Sequence, residues 1–101
     1  MSLIGGLMKI KWLKKALANL DNEAKYIAED NPQTAKIAVT KIQSSVHQLA
    51  KYPALGRPGR VVGTRELVLQ NTRYIIPYRV RNNRIEILRV FHTSRKLPDR
   101  W

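Results

Sequence analysis

Cysteine is absent from this chain of 101 residues, and acid is scarce: seven Asp and Glu stand against nineteen Lys and Arg. Without cysteine there is no disulfide framework and no thiolate metal site, and nothing ties the protein to one redox compartment. No apolar run is long enough to span a membrane, and Met1 to Leu7 lacks the charged start and long apolar core of a signal peptide, so no membrane partner and a cytoplasmic location are expected. Internal repeats, low-complexity tracts, a P-loop, a dinucleotide fingerprint and metal-ligand spacing are all missing, so neither cofactor nor metal is expected. The length suffices for one core but not two. Residues 1–7 show no periodicity and a second methionine follows at Met8, so they read as an added leader, with 8–101 as a single domain.

What the chain does have is charge. A net +12 makes a polyanion or a strongly acidic protein the expected partner. Met8 to Trp12 suits a short strand. Leu13, Ala16, Leu17, Leu20, Ala24 and Ile27 then recur at helical spacing. Asp30-Asn31-Pro32 joins an N-cap to a proline suited to a first helical turn, and Ala35, Val39, Ile42, Val46 and Leu49 carry a second helix to about Tyr52, where Pro53 stops it. So short a connection predicts an antiparallel helix hairpin laid on a sheet. The Pro/Gly-rich stretch from Pro53 to Gly63 reads as an irregular loop. Its Arg57 and Arg60 are candidate phosphate contacts, or simply solvated surface.

From Arg65 to Arg95 the pattern is three short strands. Asn82 and Asn83 accept the positive φ angles of a two-residue hairpin turn. That turn sets Arg81 opposite Arg84, Val80 opposite Ile85 and Arg79 opposite Glu86, and, extrapolated outward, Arg73 opposite His92. Alternation then predicts two faces. Tyr74, Ile76, Tyr78 and Val80 with Ile85, Ile87 and Phe91 form an apolar face for the helices. Arg73, Ile75, Pro77 and Arg79 with Glu86, Leu88, Val90 and His92 form a second face, joined by Glu66 and Val68 once Leu67 and Leu69 turn to the helices. Taken alone, His92 reads first as a surface or structural residue, and Tyr74, Tyr78, Phe91 and Trp12 as core.

The order of strand, helix hairpin, basic Gly/Pro loop and three-stranded meander, with Thr64-Arg65-Glu66-Leu67-Val68, Tyr74-Ile75-Ile76-Pro77-Tyr78-Arg79-Val80 and Ile87-Leu88-Arg89-Val90-Phe91-His92-Thr93-Ser94-Arg95, resembles the RelE/ParE superfamily of bacterial type II toxin–antitoxin systems. The resemblance covers nearly everything after Met8. It implies an α+β fold: an N-terminal strand, then a helix hairpin packed on one face of a mostly antiparallel sheet that ends in the three-stranded meander. It also implies a toxin neutralised by an acidic antitoxin, with operator DNA bound only through the complex. Val68, Ile75, Leu88 and Val90 are the apolar row that such an antitoxin segment would match, unless the segment from Lys96 to Trp101 covers it.

The superfamily divides by target. RelE-like members cut ribosome-bound messenger RNA, and ParE-like members inhibit DNA gyrase. Metal-free RNA cleavage needs a base, cationic phosphate stabilisation and an acid. In the nuclease reading these are Glu66 as base, Arg73 and Arg95 as phosphate clamps, and His92 as acid. Against it, the RelE pattern places two lysines where Glu66 and Val68 stand, and an arginine where Ile75 follows Tyr74. Arg95 is the one member of that set that survives. Gyrase inhibition is therefore the preferred reading and the messenger-RNA endonuclease the alternative. A non-toxic nucleic-acid-binding module is a third.

Overall fold

A computed structural model of the chain describes residues 7–95 and 101, so the expected leader, apart from Leu7, lies outside the described residues. The elements run β1 (Lys9–Trp12), α1 (Lys14–Asp30), α2 (Pro32–His47), a 3-10 turn (Gln48–Ala50), β2 (Arg57–Pro58), β3 (Arg65–Val68), β4 (Tyr74–Arg81), β5 (Arg84–Ile87) and β6 (Phe91–His92). The fold is α+β, as expected. The strands form one mixed sheet in the order β1-β5-β4-β3-β2, with β6 also on β4. Every pairing is antiparallel except that of β1 with β5. Among the described residues no helix is long and apolar enough to cross a membrane.

Asn31 alone separates the two helices. Its N–H donates to the Ile27 carbonyl at 2.9 Å, closing α1, while its side-chain oxygen accepts from the N–H groups of Gln33 and Thr34, opening α2. Satisfying both helix ends with one residue leaves no slack, which folds the helices back on each other. Their inner stripes, Ala16 and Leu20 with Ile42 and Val46, pack on Leu67, Leu69, Ile76, Tyr78, Ile85 and Ile87. Leu17, expected in the buried stripe, is 51 % exposed, and Glu23 is buried. Positions 16, 20 and 23 follow the 3.6-residue period, so the stripe runs through a carboxylate. The second helix ends at His47 and tightens into the 3-10 turn, short of Tyr52.

The turn at Asn82 and Asn83 has φ of 52° and 62°, and the predicted pairs from Arg81↔Arg84 to Tyr78↔Ile87 all form. Beyond them the register slips by one: Tyr74, not Arg73, faces His92, and Ile75 faces Phe91. The cause is a bulge after β5, where Arg89 and Val90 together oppose Ile76. Pro77 has no N–H to give Leu88, whose carbonyl accepts instead from the Arg89 guanidinium at 2.8 Å. The N–H of Val90 donates to Asn19 Oδ1 on α1 at 3.1 Å. With the Leu88 carbonyl and the Val90 N–H answered in this way, the extra residue is tolerated.

Candidate functional site

The slip redistributes the expected site. Residues that pair directly share a face, so His92 stands with Tyr74 on the helix-covered side, whereas Glu66, opposite Pro77, stands on the side away from the helices. Val90 likewise joins the core beneath the helices instead of the second face, and Phe91 leaves the face predicted for it. Of the expected nuclease set, Glu66 is therefore separated from His92 by the thickness of the sheet. Arg73 is exposed at the foot of β4; its carbonyl accepts from the Thr93 N–H at 2.7 Å.

On the face away from the helices Glu66 is 3 % exposed and fully engaged. Arg57 donates from Nε and Nη2 to Oε1 at 3.2 and 3.0 Å. The backbone N–H of Arg60 donates to Oε2 at 2.9 Å, with its guanidinium 3.9 Å away. The two loop arginines expected to hold phosphate thus hold a carboxylate. β2, too short to show any periodicity, exists to bring Arg57 across from Glu66. Gly56 lets the loop approach: a Cβ there would sit 2.6 Å from the Tyr78 ring. The Tyr78 hydroxyl accepts from the Gly56 N–H and donates to the Pro53 carbonyl, both at 2.8 Å. That burial raises the phenol above its usual pKa.

On the helix side sits a network that sequence reasoning missed. Buried Glu23 accepts from the Tyr74 hydroxyl at 2.9 Å and from Arg95 Nη2 at 2.8 Å. Burial and the neighbouring carboxylate push the Tyr74 phenol up to about 12, so it remains a donor. His92 packs edge-on against Tyr74, ring centroids 5.1 Å apart. Its Nδ1 accepts from the Ser94 N–H at 3.2 Å and lies 2.6 Å from the Ser94 hydroxyl, which leaves the ring proton on Nε2. A glutamate inside an apolar helical stripe was the legible signal for this network.

Of the apolar row expected to receive an antitoxin, Ile75 and Leu88 are buried and Val68 is 46 % exposed. Trp101 lies against Phe91, centroids 5.6 Å apart, and its carbonyl accepts from Arg89. The segment from Lys96 to Arg100, the alternative cover for this row, lies outside the described residues. A groove between α2 and β3 remains, lined among others by Lys41, Leu55, Arg57 and Val68.

The family model described as the ParE toxin of the type II toxin–antitoxin system parDE matches residues 10–97. The chain belongs to the ParE toxin family. Other similarities agree with that membership. The candidate toxin Y4kP of Sinorhizobium fredii NGR234 is 47 % identical over 90 residues, covering 89 % of this chain and 93 % of that protein. Toxin RelE2 of Caulobacter vibrioides is 30 % identical over 89 residues, covering 88 % and 99 %. The solved chromosomal ParDE TA system from P. aeruginosa contains a chain that superimposes with a TM-score of 0.78 at 34 % identity, covering 86 % of this ParE-family chain and 97 % of its own.

Proposed function

We propose that this ParE-family toxin acts by binding DNA gyrase stoichiometrically, without cutting RNA. The observation that carries the proposal is the separation of Glu66 from His92. A base and an acid on opposite faces of one sheet cannot reach the two sides of one phosphodiester, and the Glu66 carboxylate is already occupied by Arg57 and Arg60. Membership in a toxin–antitoxin family implies an antitoxin. We assign its docking to the groove between α2 and β3, where half-exposed Leu55 and Val68 lie among Lys41 and Arg57. That mixture suits an acidic segment with a few apolar anchors.

Two assays run side by side test the target. Wild-type protein is expected to block gyrase supercoiling and to leave a defined messenger RNA intact by primer extension in a reconstituted translation reaction. His92→Ala should retain inhibition, because among the described residues the ring bonds only Ser94 and packs on Tyr74. Ribosome-dependent new 5′ ends that vanish in His92→Ala would establish the endonuclease reading instead.

A further inference from the structure

The face of the sheet away from the helices carries a second feature, at the end remote from β6. The register places Lys9 of β1 beside Arg84 of β5, and Arg84 directly opposite Arg81 of β4. Three cations thus stand in one row across three adjacent strands. At a strand spacing of about 4.8 Å the row is about 10 Å long. The next row reads Lys11, Glu86, Arg79, and its single carboxylate is taken by Arg79 at 2.6 Å. Among the described residues, Lys9, Arg81 and Arg84 form no ion pair. Like charges directly opposite on paired strands are destabilising. Here the Asn82-Asn83 turn, with both φ angles positive, fixes them in that position. Glu86 in the next row offsets part of the repulsion, since Arg81 and Arg84 both help to lower its pKa, but its bonded partner is Arg79.

We propose that the row Lys9, Arg84 and Arg81 binds the phosphate backbone of duplex DNA. The inference does not depend on which enzyme the toxin acts upon. Guanidinium groups match phosphate oxygens bidentately, and phosphate recognition is electrostatic and needs no apolar anchor. The face supplies none at this end: Lys9, Lys11, Arg79, Arg81, Arg84 and Glu86 make up both rows. An acidic protein segment would need apolar anchors at the centre of its interface, and the groove between α2 and β3, not this end, has them. Aromatic side chains are also missing from both rows, which removes the stacking platform that single strands use. The helices lie on the other face of the sheet, so among the described residues they leave the row open to an extended ligand.

The test is fluorescence anisotropy of a labelled mixed-sequence duplex, titrated with the isolated toxin across a series of salt concentrations. The variant Arg81→Thr/Arg84→Thr is compared with Lys15→Gln/Lys36→Gln, which removes the same charge from exposed helix positions. The sheet pair is expected to weaken binding on the order of tenfold and to flatten the log–log salt slope by about 1.8, since each phosphate no longer neutralised removes about 0.9. The helix pair should change the slope by less than half of that. Lys9→Gln, on the exposed edge strand, should flatten the slope by about 0.9 and serves as a second variant if the hairpin variant misfolds. Equal weakening by the sheet and helix pairs, or no weakening by the sheet pair, would overturn the proposal. So would a sheet variant that keeps duplex binding while failing to bind polyglutamate, which would give the row to an acidic protein.

Discussion

On one side of β4, Ile76 and Tyr78 are wholly buried against the helix hairpin. On the other side of the same strand, Arg79 is held by Glu86 and Arg81 by no carboxylate among the described residues. The covered face is positioned by apolar contacts that surround each side chain, so its geometry tolerates little change. The opposite face buries Ile75, Pro77 and Leu88 as well, and is held in addition by directional pairs between guanidinium and carboxylate. β4 is buried on both sides from Tyr74 to Tyr78 and opens from Arg79 to Arg81, so core and charged surface are successive stretches of one strand, and mutations a few positions apart should read out differently.

Truncating the covered face should have the largest effect. Ile76→Ala removes a fully buried side chain and is expected to lower stability by about 2–5 kcal/mol, measured by urea denaturation. On the opposite face Glu66→Ala should cost about 2 kcal/mol, below the figure for a fully buried pair because Arg57 reaches water. Its distinguishing sign is local: proteolysis should rise in the loop from Pro53 to Gly63 before global unfolding. The third effect is confined to alkaline pH. Tyr74 has a folded-state pKa of about 12 against an ordinary 10.0, so its contribution is complete below pH 10. As pH rises from about 10 to about 12 the unfolded chain releases the phenolic proton first, and stability falls. Tyr74→Phe should remove that alkaline slope, and unfolding curves taken across this range would show whether it does.

The elements legible in the sequence were those whose cause is local. Asn82 and Asn83 fix their hairpin through backbone preference, and the register read from them holds as far as Ile87. The helix hairpin follows from Asn31 and Pro32 in the same way. The slip beyond β5 depends on Asn19, seventy-one residues from Val90 in the chain, so no window around β6 contained it. Pro77 was a partial warning, since a proline inside a central strand calls for a bulge nearby. Grouping Glu66 with His92 rested on extrapolating an unbroken ladder, and one extra residue moved His92 to the opposite face. Arg57 and Arg60 are legible as cations, but their partner Glu66 lies opposite a strand of only two residues.

The pairing of β1 with β5 also has a consequence in time. It joins residue 9 to residue 84, the widest separation that a strand pairing spans in this sheet. During synthesis Lys9–Trp12 emerges well before its partner exists, while α1 and α2 can close on each other from nearby contacts alone. Met8 can bond Ala50 early, but the edge strand must wait for β5 before its ladder can form. The row of Lys9, Arg84 and Arg81 is therefore assembled from segments made far apart in time, and until β4 and β5 emerge Lys9 stands without the other two cations.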